Sequence, residues 1–444
     1  MERTGTRLPA AQPHPGLLFR EVLVYQPGGT LTGPLDLRVQ SGVITEIGHG
    51  LAAGDCEVLH ATGSVVTGGF VDLRACTREP GDEQEEDLVS LSRTAAAGGF
   101  VGVVVGPDTT PGNDDHAVTE LILRRAREHG QCELMPQGAL SHRLKAETLA
   151  PMGEMADAGA VCFGDGDRPL RSSRLMRRAL EYARTFDRPI FSQPLDTDLA
   201  GAGVMHEGAW STRLGLRGIP AAAEHIIVAR DIAVCQLAGG RLHFARLTSR
   251  RSVELVREAR RQGVPVTASV TPWHLGWTDA AMQTYDVQWK MHAPLRTEDD
   301  RMALLEGLRD GSIDAIVSDH MPVGVADKQV ELDYARPGAI GLQTTLPVVL
   351  DRVRAAELTL GQALQALVDA PRKVLSLPSA DLVVGRTATL NWFEPEAVWQ
   401  LDSQSNCSRS CNSPLWSTPA KPVPLQGKVR MTLLRGRVVW RDDT

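Results

Sequence analysis

Lysine is scarce in this chain, long uninterrupted apolar runs are missing, and the cysteines form no compact motif. Only six of the 47 basic residues are lysine, a skew read as codon composition rather than as a phosphate-binding surface. The formal net charge is -7, which argues against nucleic acid as the main partner because an acidic surface repels a polyanion. The most apolar helical stretch, residues 221–238, is interrupted by Glu224, His225, Arg230 and Asp231. A bilayer span needs about 20 predominantly apolar residues, so this stretch is expected to be a core helix, and no membrane association is expected. The leading segment carries Pro9, Pro13, Pro15 and charges but no apolar h-region, so no secretory leader is expected. The cysteines at 56, 76, 132, 162, 235, 407 and 411 are odd in number and widely scattered. Reduced thiols in a cytoplasm account for that pattern. Cys407 and Cys411 lack companion ligands nearby and are expected to be loop thiols rather than a zinc knuckle.

At 444 residues the chain exceeds what one hydrophobic core usually organises, so a large domain with a smaller companion is expected. The first 16 residues are Pro-rich and expected to fray. Short β-rich runs follow, in Val22-Leu23-Val24-Tyr25, Leu35-Asp36-Leu37-Arg38-Val39 and Val43-Ile44-Thr45-Glu46-Ile47. The same texture returns in Asp381-Leu382-Val383-Val384, Ala388-Thr389-Leu390-Asn391-Trp392 and residues 429–440. Between them, amphipathic helices alternate with near-continuous apolar strands, and glycine follows most helices as a C-cap. Repeated β-α units with fully apolar strands imply a parallel sheet, and roughly eight units over about 300 residues imply a (β/α)₈ barrel. The expected architecture is α/β: a TIM barrel over residues 67–377, with a small β-sandwich domain made by residues 1–66 and 378–444. Residues 401–424, rich in Ser, Asn and Pro, read as a long loop.

In such a barrel the chemistry sits at the C-terminal ends of the strands. Those positions hold Arg74 and Cys76, Asp108, Asp165, Gln193, Arg246, Thr271, and Asp319 with His320. Few of these side chains can bind a metal. The end of the first barrel strand, Gly68-Gly69-Phe70-Val71-Asp72-Leu73-Arg74-Ala75-Cys76-Thr77-Arg78-Glu79-Pro80-Gly81, resembles the dihydroorotase pattern Gly-Phe-Val-Asp-Leu-His-x-His-x-Arg-Glu-Pro-Gly. Further motifs extend the resemblance over most of the chain. Thr94-Ala95-Ala96-Ala97-Gly98-Gly99-Phe100 is similar to the family's helix-strand junction, and Gly106-Pro107-Asp108-Thr109 to its Met-Pro-Asn-Thr. Leu242-His243-Phe244-Ala245-Arg246-Leu247-Thr248-Ser249 is similar to Tyr-His-Ile-Cys-His-Val-Ser-Thr.

The resemblance implies a metal-dependent-hydrolase barrel from which the metal histidines have gone, because the four matching positions hold Arg74, Cys76, Gln193 and Arg246. Phe163-Gly164-Asp165-Gly166-Asp167 keeps half of an acidic pair, and no lysine stands on the fourth strand for carbamylation. Asp319 matches the family's general acid/base. Arg78, Asp108 and His292 match its substrate contacts, as vestiges, and Val323 replaces a further substrate-binding histidine. A guanidinium about 4 Å from a dication, at an effective dielectric of about 20, is repelled by roughly 8 kcal/mol. No metal is therefore expected, and Arg74 or Arg246 is expected to pair with Asp319 or Asp165. His243, His274 and His320 are expected to be satisfied core histidines.

The functional expectation is a catalytically inactive dihydroorotase-like chain of pyrimidine biosynthesis, structurally partnering the aspartate transcarbamoylase catalytic chain and forming a homo-oligomer. The alternative is an active dihydroorotase or other cyclic amidohydrolase with a zinc site rebuilt from Cys76, Asp165 and Asp319. A third reading makes Arg74, Arg78 and Arg246 a cradle for an anionic ligand.

Overall fold

Eight parallel strands follow one another around the barrel in sequence order: Phe70–Ala75, Phe100–Val105, Glu133–Gly138, Cys162–Phe163, Ile190–Ser192, Leu242–Phe244, Val266–Val270 and Ala315–Ile316. The computed structural model describes residues 16–442, so the Pro-rich stretch 1–15 and its expected fraying lie outside the described residues. Strand side chains pack on both faces, which is why the strands read as continuous apolar runs. Val71, Leu73, Val101, Met135, Cys162, Phe191 and Ala315 form one cluster. Phe70, Val103, Val105, Leu134, Phe163 and Phe244 pack instead with helix residues such as Leu91, Ile122 and Leu180.

Caps set where the helices begin. Asp87 opens Leu88–Ala97 in a capping box with Ser90, and Thr297 opens Glu298–Asp310 in another with Asp300. Each satisfies backbone donors that the first turn leaves free. Gly99 turns the chain from helix into strand at φ 84, where a Cβ would lie 2.6 Å from the Asn391 amide. Only glycine meets both the positive φ and the close approach.

The last strand returns to the first. Ala75 bridges His320, and the Cys76 N–H donates to the His320 carbonyl at 2.8 Å. Beneath that bridge, buried Asp72 accepts from the Ser318 N–H at 2.9 Å and the Ser318 hydroxyl at 2.5 Å. The barrel is thereby drawn together where Asp319 emerges.

The second sheet takes strands from both ends of the chain, as expected. Its order is Arg437–Arg441, Pro424–Leu434, Leu390–Gln400, Val65–Thr67, Leu17–Gln26, Thr30–Gln40 and Val43–Gly48, with Glu57–His60 pairing parallel to Leu17–Gln26. Asn391 joins it to the barrel by accepting from Thr67 Oγ1 at 2.7 Å and donating to the Gly99 carbonyl at 2.9 Å.

The expected long loop between Leu390–Gln400 and Pro424–Leu434 is present and lies across the barrel rim. Arg409 donates to the Glu83 carbonyl at 2.9 Å, and Asn412 donates to the carbonyls of Met321 and Gly338 at 2.9 and 3.0 Å. Cys407 and Cys411 are free, half-buried thiols within it.

The helix Ala222–Ala238 is a core helix, as expected, burying Ala223, Ile227, Val228, Ile232, Cys235 and Ala238. Its acids are buried, while Ile226 and Leu237 are 45% and 67% exposed. Glu224 goes inward because it accepts from the N–H groups of Thr248 and Ser249, and Asp231 because it accepts from Ser192 Oγ and pairs with Arg230. Among the described residues no helix is long and apolar enough to cross a membrane.

Burial raises the Asp72 carboxyl to about 7, against the opposing hydrogen bonds from Ser318. A carboxyl raised in the folded state stabilises the fold fully below its unfolded value near 3.9, and that contribution is lost as pH rises toward 7. The lost contribution is at most about 4 kcal/mol. Urea denaturation of wild type and Asp72→Asn should therefore show a shallower loss of stability between pH 4 and 7 in the variant. Parallel pH profiles would remove Asp72 from this role.

Candidate functional site

The C-terminal mouth of the barrel is occupied by a lattice of ions. Arg246 leaves the sixth strand in the left-handed region, with φ 57, and Asp319 leaves the eighth with φ 46. Such backbone is unfavourable for non-glycine residues by roughly 1–2 kcal/mol. Here it accompanies a close contact: Arg246 Nη1 donates to Asp319 Oδ1 at 2.6 Å. The same guanidinium donates through Nε to Gln193 Oε1 at 3.1 Å and through Nη2 to Asp167. Its side chain is fully buried.

Arg74 approaches from the first strand. Its Nη2 lies 3.0 Å from Asp167, its Nη1 lies 3.3 Å from Asp108, and it donates to Cys76 Sγ at 3.5 Å. Asp167 thus bridges two guanidinium groups. Burial would raise its carboxyl, but Arg246 and Arg74 hold it well below the usual carboxylate range. Burial would likewise lower both arginines, and the surrounding carboxylates raise them instead. Asp167 and the two arginines that share it therefore stay ionised.

The position of Asp165 corrects the sequence reading. It neither joins the arginines nor faces the Cys76 thiol, because it accepts from the N–H groups of Leu140 and Ser141 at 2.8 Å each and caps the loop after the third strand. Asp167, two residues on, takes the central place. The signal was present in Phe163-Gly164-Asp165-Gly166-Asp167, but which acid turns inward depends on the loop beyond the third strand.

The three residues expected from the resemblance as substrate contacts divide. Asp108 belongs to the lattice, and His292 flanks it, with Nδ1 3.9 Å from Asp167. Burial lowers that imidazole, with Asp167 opposing. Arg78 stands apart, donating to the Pro322 carbonyl at 3.2 and 3.0 Å and pairing with Glu85 at 3.3 Å. The expected anion cradle is therefore not formed, since Arg74, Arg78 and Arg246 are each committed to protein oxygens.

The three histidines are satisfied within the core. His243 meets Thr267 Oγ1 at 2.9 Å and Ser269 Oγ at 3.1 Å, and burial lowers it to about 3. His274 meets Thr271 Oγ1 at 2.7 Å and the Ala293 carbonyl at 3.0 Å, and burial lowers it to about 4. His320 accepts the Gly341 N–H at 3.2 Å through Nδ1, so its Nε2 carries the proton toward Glu86, 3.2 Å away.

One donor set deserves a metal test. Cys76, Asp108 and Asp167 each bring a ligand atom within 4.8 Å of the others. The set does not fit a divalent cation as it stands, because the Arg74 guanidinium contacts all three members. A thiol must also lose its proton to ligate, and burial pushes Cys76 up despite Arg74.

The architecture defines a class, the eight-stranded parallel α/β barrel with an accompanying sheet domain. It is similar to the L-hydantoinase (dihydropyrimidinase) of Arthrobacter aurescens, with a TM-score of 0.81, 22% identity and 96% of each chain covered. It is equally similar in TM-score, at 18% identity, to the dihydropyrimidinase of Brevibacillus agri, over 97% of this chain and 96% of that one. Sequence narrows the class. Residues 63–252 match the family described as dihydro-orotase-like. The dihydroorotase of Syntrophotalea carbinolica is 40% identical over 96% of this chain and 99% of its own length. That of Anaeromyxobacter dehalogenans is 43% identical over 94% and 96%. The chain belongs to the dihydroorotase-like family.

Removing one partner of a buried ion pair leaves uncompensated charge and costs about 3–5 kcal/mol. Arg246→Ala should lose that much stability by urea denaturation. Arg246→Lys should recover only a minor part, because an ammonium cannot reproduce the guanidinium fork. Arg177→Ala, which breaks an exposed pair with Glu181, should stay within about 0.5 kcal/mol. Equal effects at 246 and 177 would dismiss the lattice as a stabilising element.

Proposed function

We propose that this chain is a dihydroorotase-like protein of pyrimidine biosynthesis whose barrel mouth is structural, and that it acts in the cytoplasm as a metal-free, non-catalytic partner of the aspartate transcarbamoylase catalytic chain. In this reading it also self-associates. One observation carries the proposal: the retained acid/base candidate, Asp319, is bound by the buried Arg246 guanidinium, which also holds Asp167 and Gln193. A general base has to reach the substrate's proton, and Asp319 is turned to a cation that never gives one up. General acid/base help is worth about 10²–10⁴-fold, far below the roughly 10⁶-fold or more that marks an enzyme. The partner rests on the family resemblance, and it suits a chain whose barrel and terminal sheet domain are intact while the strand-end residues are changed.

The names of the relatives support the rival reading, a working dihydroorotase. For that reading the rebuilt site has to be Cys76, Asp108 and Asp167, with Arg74 swung away, since Asp165 is spent on the loop after the third strand. Metal analysis and turnover separate the two. The proposal expects no stoichiometric zinc after purification or zinc incubation, and no dihydroorotate formation or opening above a buffer control. One zinc per chain that disappears in Cys76→Ser, or turnover abolished by Asp319→Asn, would establish the rival. The partnership has its own check: co-expressed transcarbamoylase should gain mass and thermal stability with this chain, and an unchanged enzyme would end the scaffold role.

A further inference from the structure

The two guanidinium groups at the barrel mouth are not held alike. Arg246 is used in full: Nε and Nη2 reach Gln193, Nη1 reaches Asp319 and Nη2 also reaches Asp167. Arg74 is held more loosely. Its Nη1 lies 3.3 Å from Asp108, its Nη2 lies 3.0 Å from Asp167 and 3.5 Å from Cys76 Sγ, and its buried Nε has no hydrogen-bond partner among the described residues. The groups it touches converge. Cys76 Sγ donates to Asp108 Oδ2 at 3.4 Å, and Cys76, Asp108 and Asp167 each bring a ligand atom within 4.8 Å of the others. The backbone leaves a cradle for this cluster. A Cβ on Gly106 would lie 2.5 Å from Arg74 Nη1 and 2.7 Å from Asp108 Oδ1, and a Cβ on Gly166 would lie 2.4 Å from Asp108 Oδ1. Main chain therefore walls the guanidinium, and it relaxes only partly into the space that a shortened side chain leaves.

We infer that Arg74 is a tethered cation seated in a three-donor site, and that Cys76, Asp108 and Asp167 take a thiophilic divalent ion once its guanidinium is removed. The inference rests on the metal-free reading of the mouth given above. A thiolate with two carboxylates is a mixed donor set, and sulfur selects soft or borderline ions such as cadmium and zinc over magnesium. Binding forms a metal–sulfur bond and breaks the Cys76 S–H bond, with the proton leaving to solvent. The Asp108 and Asp167 side chains are 17% and 14% exposed, so the ion has a way in. Asp319, 5% exposed and bound to Arg246, stays outside the set. Arg246 also keeps its contact with Asp167, which leaves Cys76 and Asp108 as the donors freed outright.

The test titrates cadmium, zinc and magnesium into the full chain as wild type, Arg74→Ala and Arg74→Ala with Cys76→Ser. Binding is read by equilibrium dialysis, by the ultraviolet cadmium–thiolate absorption and by the unfolding midpoint. Arg74→Ala should take up one cadmium per chain at least about a hundredfold more tightly than wild type, because a like charge among the donors is gone. It should show the thiolate band, prefer cadmium to magnesium, and regain with cadmium part of the midpoint lost with the guanidinium. The double variant should lose the band and at least about tenfold in affinity. Arg74→Gln, neutral but still able to hydrogen-bond Asp108, covers the case in which the alanine variant does not fold, and its affinity should fall between alanine and wild type. Equal binding by Arg74→Ala and the double variant would put the ion on other thiols and overturn the site. So would Arg74 variants that fold and bind no cadmium, or that stay unfolded with cadmium present. Stoichiometric zinc in wild type would instead end the metal-free reading itself, so the two failures are told apart.

Discussion

Asp167 lies between two guanidinium groups, and the arrangement of the barrel mouth follows from that contact. Three carboxylates, Asp108, Asp167 and Asp319, converge at the ends of the second, fourth and eighth strands, where most of their hydration is lost. Left alone they would repel one another, and burial would push them toward protonation. Arg74 and Arg246 supply two positive charges from the first and sixth strands, and the shared Asp167 ties the two halves together. The cluster therefore spans the barrel, joining strands that are not neighbours in the sheet. It is held at the cost of two left-handed backbones, at Arg246 and Asp319, which persist because the surrounding lattice fixes them.

Arginine suits this place for a geometric reason. The guanidinium of Arg246 reaches Asp319, Asp167 and Gln193 at once through a flat, rigid fork, whereas a lysine offers a single compact charge on a flexible stem. A divalent cation can also neutralise converging carboxylates, but it needs open donors. Here Cys76 stays a thiol under burial, and Asp108 and Asp167 already accept from Arg74. The same three-donor cluster thus has its cation built into the chain, delivered by the residue two positions before Cys76.

Much of this was legible in the sequence, and the limits fall at identifiable residues. The barrel order came from apolar runs such as Phe100-Val101-Gly102-Val103-Val104-Val105, because a strand covered on both faces has no polar positions to spare. The side chains that stand at the four positions, Arg74, Cys76, Gln193 and Arg246, were read directly, since residue identity needs no coordinates. The pairing was only half legible. Arg246 with Asp319 followed from strand-end positions, but the choice of Asp167 over Asp165 was decided by the N–H groups of Leu140 and Ser141, far away in the chain. Arg78 was misplaced for a similar reason, as Pro322 and Glu85 reach it through loops whose course no local pattern encodes. The helix Ala222–Ala238 was legible as a core helix, but the inward turn of Glu224 and Asp231 was not, because it depends on donors at Thr248, Ser249 and Ser192.

The charge balance of the barrel mouth limits what it can do. At the mouth, where this architecture keeps chemistry, every arginine is matched to an acid or a carbonyl and the retained Asp319 faces a permanent cation. Electrostatic complementarity inside a folded chain removes charge from play, because a paired ion has little field left for a ligand. The mouth has spent its charge on joining strands around the barrel, with Arg74 and Arg246 sharing Asp167 and reaching Asp108 and Asp319 on either side. A family resemblance directs attention to Asp319, while the charge balance of this particular chain turns that carboxylate to Arg246.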